Sequence, residues 1–119
     1  MSKNFDKNQN YFFSNKKNSV PFTFIHGVGL DHQMWNHQIN YFKDYSTLTY
    51  DLLGHGKTPY NKDKLSLEDF SDQLLKILNH LKIEKINLIG FSLGSLIALN
   101  FSSSFQKKVE KTCINWHNL

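Results

Sequence analysis

A serine framed by two glycines is the pattern in this sequence that most clearly suggests chemistry. Gly90-Phe91-Ser92-Leu93-Gly94 fits G-x-S-x-G and lies between an apolar strand candidate and an apolar helix candidate, the context that this motif requires. A serine hydroxyl is a weak nucleophile and must project from a tight turn to meet its base and its substrate. Gly90 and Gly94 remove the side chains that would clash in such a turn. We therefore predict that Ser92 is a nucleophile; the alternative is a chance match in a connecting loop.

A second glycine-rich segment, His26-Gly27-Val28-Gly29, follows an earlier strand candidate. Its glycines allow backbone amides to face a substrate oxygen, and we predict that the Val28 and Leu93 N–H groups form an oxyanion hole. The same glycines match two positions of the dinucleotide-binding pattern G-x-G-x-x-G, but the third position is a histidine, so we disfavour that reading. For His26, hydrogen bonding that braces the loop is favoured over a metal-ligand or general-base role.

The third segment, Asp51-Leu52-Leu53-Gly54-His55-Gly56-Lys57-Thr58, also follows a strand candidate and contains Gly-Lys-Thr. A phosphate-binding P-loop, G-x-x-x-x-G-K-[ST], would place its first glycine at position 51, where this chain has aspartate. Pro59 follows directly, so Lys57 and Thr58 are not expected to open a helix, and we disfavour a nucleotide site. Asp51 is predicted to support the loop by capping backbone amides; a catalytic acid is the alternative.

Strand candidates alternate with helix candidates along the chain. The strand candidates are Tyr11–Phe13, Val20–Ile25, Ser46–Tyr50, Ile86–Ile89 and Val109–Ile114. Helical spacing links Trp35, Ile39 and Phe42, and an apolar helix is predicted from Ser95 to about Ser103. This alternation predicts an α/β fold with a mostly parallel sheet and crossover helices. Because chemistry in such sheets collects at the carboxyl ends of the strands, the three loops are expected to converge there.

The clearest helix is predicted to begin near Ser66. Ser66 and Asp69 resemble a capping box, with aspartate in place of the usual glutamate. An apolar stripe with spacings of 3, 4, 4 and 3 follows, and it consists of Leu67, Phe70, Leu74, Leu78 and Leu81. This stripe is expected to face the sheet.

Length and composition restrict the class of protein further. The chain has 119 residues, enough for one domain at most. No apolar stretch is long enough for a membrane helix. The first residues lack the apolar core of a signal peptide. Cys113 is the only cysteine in the sequence. We therefore predict a cytoplasmic location and no membrane partner. The net charge is +4 and the lysines are scattered, which argues against nucleic acid as a partner. The six histidines show no metal-ligand spacing, so no metal site is predicted.

Together, the three segments resemble the α/β-hydrolase superfamily over about Phe22 to Phe101. His26-Gly27 begins a segment that resembles the family's H-G…W oxyanion segment. Residues 51–58 resemble its D-x-x-G-x-G-x-S loop, with Thr58 in place of serine. Residues 89–94 resemble its nucleophile elbow. The general likeness is to serine carboxylesterases of the enol-lactonase kind. The resemblance implies hydrolysis of a small-molecule carboxylic ester, lactone or thioester through an acyl-enzyme on the motif serine, without a cofactor.

In this family the catalytic acid and histidine follow the nucleophile, in the order Ser…Asp/Glu…His. Only 27 residues follow Ser92, and among them Glu110 is the one acid and His117 the one histidine. Glu110 is expected at the start of its strand, which is the wrong end of the sheet, and His117 comes too early, so both are predicted to be incidental. We therefore interpret residues 1–119 as the N-terminal part of one α/β-hydrolase domain, truncated before the cap and the last strands and inactive alone.

Two expectations complete this interpretation. A last strand without a neighbour would be an exposed sheet edge, which favours self-association. The alternative function is a non-catalytic binding module that keeps a hydrolase-like pocket without hydrolysis.

Overall fold

The computed structural model describes residues 7–16, 19–60 and 63–115. The strands are β1 (Tyr11–Ser14), β2 (Phe22–Ile25), β3 (Thr47–Tyr50), β4 (Ile86–Phe91) and β5 (Val109–Asn115). The α-helices are α1 (Asn36–Tyr41), α2 (Leu67–Leu81) and α3 (Leu93–Ser104), and two short 3-10 helices span His32–Trp35 and Gln106–Lys108. Each predicted strand is present, with one end of each shifted by one or two residues.

The five strands form one sheet in the order β1-β3-β2-β4-β5. β3, β2, β4 and β5 run parallel to one another, and β1 pairs antiparallel with β3 at one edge. The prediction of a mostly parallel α/β sheet is confirmed, with β1 as its antiparallel exception. Because β3, β2 and β4 are parallel neighbours, the loops that follow them all leave the sheet at the carboxyl ends of its strands. The loop after β2 lies between the other two.

Helices cover both faces of the sheet. One face packs against α2 and α3, and the fully buried residues of this core include Ile25, Leu48, Leu74, Leu88 and Ile97. Because side chains alternate along a strand, Phe22 and Phe24 of β2 point to the opposite face. There the Phe22 ring lies 4.9 Å from that of Phe42, and the Phe24 ring lies 5.1 Å from that of Trp35. The sheet is therefore held between two layers, as an α/β fold requires.

The α2 helix begins where the sequence predicts. The Ser66 hydroxyl accepts a hydrogen bond from the Asp69 N–H over 3.1 Å, and the Asp69 carboxylate accepts one from the Ser66 N–H over 3.0 Å. This reciprocal capping box satisfies two amides that otherwise lack partners at a helix N-terminus. The buried members of the predicted stripe are Phe70, Leu74 and Leu78.

The helical spacing of Trp35, Ile39 and Phe42 predicts one helix, but the structure contains two short ones. The Asp31 carboxylate accepts a hydrogen bond from the Gln33 N–H over 2.9 Å and so begins the 3-10 helix. α1 follows it directly and has no buried residue. Because α1 packs little apolar surface against the sheet, burial does not stabilise a longer helix here.

The α3 helix begins at Leu93, two residues earlier than predicted, immediately after the serine of the G-x-S-x-G motif. It is twelve residues long, and its first turn includes the buried Gly94 and Ser95. Among the residues described, no helix has the length and apolar character needed to cross a membrane.

Candidate active site

The chain turns sharply at Ser92, between the end of β4 and the start of α3. Its backbone has φ 57° and ψ −117°, a conformation that costs about 1–3 kcal/mol for a residue with a side chain. Two hydrogen bonds hold the turn: the Ser92 N–H donates to the Asn115 carbonyl over 3.1 Å, and the Ser95 N–H donates to the Ser92 carbonyl over 2.8 Å. This is the geometry of a strand-to-helix turn that presents a serine hydroxyl at the end of a sheet.

Gly90 and Gly94 occupy positions where no side chain fits. A Cβ atom on Gly90 would collide with the Gly94 carbonyl, and a Cβ atom on Gly94 would collide with the Ile25 carbonyl of β2. These obstacles are backbone atoms, which have little freedom to move aside. The two glycines around the serine are therefore required by the close approach of α3 to the sheet.

The loop after β2 lies directly beside the Ser92 turn. A Cβ atom on Gly27 would stand 3.3 Å from the Phe91 carbonyl oxygen and 3.3 Å from the Cβ of Ser92, so there is little space between the two segments. The loop then turns through a hydrogen bond from the Leu30 N–H to the Gly27 carbonyl, 3.2 Å long, with Gly29 at φ 76°. Val28 stands at its tip and is 68% exposed. The structure thus brings together the segments in which the sequence predicts a nucleophile and an oxyanion hole.

Two backbone amides in these segments, those of Val28 and Leu93, have no acceptor among the described residues. Leu93 is the first residue of α3, and the N–H groups of a first helical turn have no partner within the helix. The positive end of the α3 dipole also favours negative charge at this point. These are the kinds of donor that stabilise an oxyanion.

His26 is fully buried and uses both of its ring nitrogens. Nε2 lies 3.0 Å from the Leu52 N–H and accepts from it, so Nδ1 carries the proton and donates to the Gly27 carbonyl over 2.7 Å. Burial lowers the pKa of this imidazole, while the hydrogen bond to the Gly27 carbonyl acts in the opposite direction. The neutral ring ties the loop after β2 to the loop after β3, and it has no nitrogen left for a metal or for proton transfer.

Asp51 is buried, and its carboxylate accepts four hydrogen bonds. Oδ1 accepts from the His32 N–H and His32 Nδ1, at 2.9 and 2.8 Å, and Oδ2 accepts from Asn10 Nδ2 and the Lys57 N–H, at 2.7 and 2.9 Å. Burial by itself raises the pKa of this carboxyl group, but the hydrogen bonds to the ionised form outweigh it and lower the pKa to about 2. The carboxylate therefore joins its own loop to two other segments of the chain.

Gln73 of α2 supports the same loop, a role that was not predicted from the sequence. Its Nε2 donates to the Asp51 carbonyl over 2.9 Å, and its Oε1 accepts from the Leu53 N–H over 3.1 Å. Thr58 is also buried, and its hydroxyl accepts from the Asn10 N–H over 3.0 Å. A glutamine beside the apolar stripe of α2 was the available signal, because a buried amide side chain needs polar partners.

Ser95 is a second residue that the sequence analysis missed. Its hydroxyl donates to the Gly90 carbonyl over 2.9 Å and accepts from the Asn115 N–H over 3.1 Å. One buried side chain thus joins β4, α3 and β5 next to the Ser92 turn. No motif marks this position, so the sequence offered no signal for it.

The structure argues against a P-loop at Gly56-Lys57-Thr58. No helix opens there, since the next helix is α2. The Lys57 N–H donates to the Asp51 carboxylate, and a Cβ atom on Gly56 would collide with that carboxylate. An ionised carboxylate inside the loop would repel the phosphate that a P-loop binds.

Asp31, His32 and Asp51 form the one group of described side chains with the donor set of a metal site, and their ligand atoms lie within 4.8 Å of one another. Their hydrogen bonds already use these atoms. Asp31 accepts from the Gln33 N–H, and His32 Nδ1 donates to Asp51. The contact between His32 and Asp51, which are 19 residues apart, was not predicted from the sequence.

The described residues contain no histidine ring hydrogen-bonded to the Ser92 hydroxyl. Glu110 lies near the start of β5, the end of the sheet opposite Ser92, and its carboxylate is 3.9 Å from Lys85 Nζ. His117, the other residue considered from the sequence, lies outside the described residues.

The fold and the site together define a class: a protein with a mostly parallel α/β sheet and a strained serine turn beside a glycine-rich loop. A family model described as "alpha/beta hydrolase fold" matches residues 20–112. The chain belongs to this family.

The chain is similar in sequence to several hydrolases. The (E)-2-((N-methylformamido)methylene)succinate hydrolase of Acinetobacter baylyi is 34% identical over 95 residues, which are 79% of this chain and 36% of that protein. The 3-oxoadipate enol-lactonase 1 of the same organism is 36% identical over 84 residues, 70% of this chain and 31% of that protein. Among solved structures, a carboxylesterase of Nitrososphaera gargenis has a TM-score of 0.83 at 28% identity. The match covers 89% of this chain and 40% of the carboxylesterase chain. This chain therefore spans about a third of the length of these curated relatives.

Proposed function

We propose that the protein to which these residues belong is a serine hydrolase of small carboxylic esters, lactones or thioesters, with Ser92 as its nucleophile. The observation that carries the proposal is the positive-φ turn that places Ser92 close beside the loop at Gly27. A conformation that costs free energy persists only where the surrounding structure enforces it, and such residues cluster at functional sites. An ordinary connection between a strand and a helix has no need of this strain.

In the proposed reaction, Ser92 Oγ attacks the carbonyl carbon of the substrate and passes its proton to a general base. The carbonyl oxygen becomes an oxyanion, to which the Val28 and Leu93 N–H groups donate. Loss of one such donor typically slows catalysis by about 10²–10³-fold. The bond to the leaving group then breaks, the leaving group takes up the proton, and water hydrolyses the acyl-serine. No metal and no organic cofactor takes part in this sequence of steps.

The substrate class rests on the similar proteins and on one loop. An enol-lactonase and a carboxylesterase are among the proteins that this chain resembles, and both names describe transfer of an acyl group to water. Residues 26–29 have the form H-G-x-G, with one glycine directly after the histidine. This form resembles hydrolases of small esters, lactones and thioesters more than it resembles H-G-G-G lipases. We therefore propose a small-molecule acyl substrate.

We further propose that the general base and its acid partner come from outside residues 1–119. The Ser92 hydroxyl has no histidine partner in the described part of the chain, and the chain spans about a third of its curated relatives. A serine without a base remains protonated, so residues 1–119 alone would retain only the catalysis that an oxyanion hole and substrate binding provide.

A fluorophosphonate probe tests these proposals, because it labels an activated serine. The gene is read beyond codon 119, and the longer polypeptide is compared with residues 1–119. We expect labelling of the longer polypeptide at Ser92, loss of labelling in Ser92→Ala, and normal labelling in Ser103→Ala, a matched change at an exposed serine of α3. Residues 1–119 alone should react slower by a factor on the order of 10⁴ or more.

Two outcomes would contradict the proposals separately. A folded longer polypeptide that binds a small ester without hydrolysis or labelling would favour the non-catalytic binding module. Rapid, Ser92-dependent hydrolysis by residues 1–119 alone would show that the base lies within them.

We also propose that the 119-residue chain self-associates through β5. This strand stands at one edge of the described sheet, and residues 110–113 of it are exposed. An edge strand offers unpaired N–H and C=O groups to another chain. Sedimentation velocity over a range of concentrations tests this, and a chain that remains monomeric throughout would refute it.

A further inference from the structure

The segment that carries the Val28 amide is anchored at both ends to the loop after β3. We call residues 27–30 the oxyanion loop. At its start, His26 accepts from the Leu52 N–H over 3.0 Å. Just beyond its end, the His32 ring donates to the Asp51 carboxylate over 2.8 Å. Both anchors therefore reach neighbouring residues of one other loop.

Asp51 is a fixed point for the second anchor. It is 1% exposed, and the carboxylate oxygen that does not face the ring is held by Asn10 and by the Lys57 N–H. Its backbone carbonyl accepts from Gln73 of α2. Because these contacts restrict the movement of the Asp51 carboxylate, its hydrogen bond to the His32 ring restricts the position of that ring.

The His32 ring makes two different kinds of contact, which separate variants can distinguish. It stacks on Phe12, with the ring centres 4.4 Å apart and the planes at 29°. Its Nδ1 donates to Asp51, because an ionised carboxylate can only accept. Stacking packs the ring against β1, whereas the directional hydrogen bond sets where the ring, and the backbone next to it, must lie.

We propose that His32 is a positioning residue, whose Nδ1–H bond to Asp51 holds the oxyanion loop with the Val28 N–H beside Ser92. The tip of the loop is exposed at Val28, Gly29 and Leu30. Within the described residues, the hydrogen bond from the Leu30 N–H to the Gly27 carbonyl is the one backbone bond that closes the loop. The inference rests on the proposed function for its catalytic consequence, but the restraint on the loop can be measured without hydrolysis.

The first test is amide hydrogen exchange, measured by NMR on the full chain. His32→Asn keeps a donor close to the position of Nδ1, and His32→Phe keeps an aromatic ring for stacking but has no donor. The backbone bond from residue 32 to Asp51 is available in both. We expect exchange at the Leu30 amide to be about tenfold or more faster in His32→Phe, as for loss of a hydrogen bond to a charged group. His32→Asn should remain within about threefold of the unmodified chain, since its donor replaces the lost one.

The amides of β4 serve as the reference, because this strand is paired on both sides. Equal exchange at Leu30 in His32→Phe and the unmodified chain would overturn the proposal. An equal acceleration in β4 would also overturn it, because the role of His32 would then be general stability. If His32→Phe does not fold, His32→Gln replaces it, since its amide mimics Nε2 rather than Nδ1 and should behave like a residue without the donor.

The second test is Ser92-dependent hydrolysis of a nitrophenyl ester by the longer polypeptide. We expect His32→Phe to lower kcat by about tenfold to hundredfold with little change in KM, and His32→Asn to restore it, because an oxyanion donor acts in the transition state. Unchanged kcat in His32→Phe would overturn the catalytic part of the proposal. If hydrolysis is absent while the exchange pattern holds, the proposed function fails and the restraint of the loop by His32 stands.

Discussion

Replacement of Asp51 by asparagine removes a buried charge that accepts four hydrogen bonds, with almost no change in shape. Each carboxylate oxygen of Asp51 faces two donors. In Asp51→Asn one oxygen becomes an NH₂ group, which donates hydrogen bonds and cannot accept them. The side chain that faced this oxygen can present an acceptor instead, His32 by a change of ring tautomer or Asn10 by a flip of its amide. The backbone N–H on the same side, of His32 or Lys57, cannot accept, so one donor is left without an acceptor.

The expected loss of stability follows from these contacts. A hydrogen bond to a charged group contributes about 1.5–3 kcal/mol, so the bond that cannot be replaced gives a loss of about 1.5–3 kcal/mol in the free energy of unfolding at neutral pH. The pKa of Asp51 is lowered from 3.8 to about 2. At about 1.4 kcal/mol for each pH unit, this shift alone corresponds to roughly 2 kcal/mol of stability from ionisation.

The sign of the pH dependence follows from the direction of this shift. A carboxyl group whose pKa is lowered on folding stabilises the folded chain above its unfolded pKa, near 3.8. That stabilisation is lost as the pH falls through its folded pKa, near 2. Asp51→Asn has no proton to gain, so the difference in stability between the two chains should shrink by roughly 2 kcal/mol between pH 5 and pH 2.

Urea unfolding followed by circular dichroism, at several values of pH between 7 and 2, measures this difference. The matched control is Asp72→Asn, the same chemical change at an exposed carboxylate that pairs with Lys76 over 3.1 Å. The control should cost about 0.5 kcal/mol or less, as exposed pairs on a helix do. The reasoning would be refuted by a loss for Asp51→Asn that does not change with pH, or by a loss no larger than that of the control.

Three further substitutions test the packing and hydrogen bonding of the fold by the same urea titration. Gly94→Ala should cost about 3 kcal/mol or more, because its Cβ atom would collide with the Ile25 carbonyl. Ser95→Ala should cost about 1–3 kcal/mol, because it removes the hydroxyl that joins the Gly90 carbonyl to the Asn115 N–H. Ser66→Ala should cost about 1 kcal/mol, because it removes the cap from the Asp69 N–H.

Matched controls separate these causes. Gly29 has φ 76° but open space around its Cα atom, so Gly29→Ala should cost only about 1 kcal/mol for conformation. Ser103 is an exposed serine of α3, and Ser103→Ala should be nearly neutral. If Gly94→Ala costs no more than Gly29→Ala, the contact between α3 and β2 is looser than described. Ser95→Ala or Ser66→Ala as neutral as Ser103→Ala would show that water replaces the lost hydroxyl.

Secondary structure was predictable wherever a local pattern and its packing agree. α2 begins at its capping box because Ser66 and Asp69 contact each other within one turn of helix. The order of strands and helices also follows from apolar segments that must be buried. The prediction was wrong about a single helix through Trp35 and Phe42, since the cap on Asp31 starts a 3-10 helix and little packing extends α1.

The polar contacts around the site were not predictable from the sequence. The residues that hold Asp51 stand 41, 19 and 6 positions away along the chain. Gln73 reaches the same loop across 22 positions. Each of these contacts depends on which elements become neighbours in the sheet, and strand order is not visible in local patterns.

The Ser92 turn shows why part of the site could still be recognised. A steric constraint imposed by backbone atoms has one solution among the amino acids, so Gly90 and Gly94 are marked in the sequence by the residue itself. A hydrogen-bonding constraint has many solutions, because serine, asparagine, glutamine or a water molecule can each satisfy a buried amide. The contact between Ser95 and Asn115, which holds the same turn, therefore carries no signature. Where backbones touch, the sequence identifies the site; where side chains join distant segments, the structure is needed.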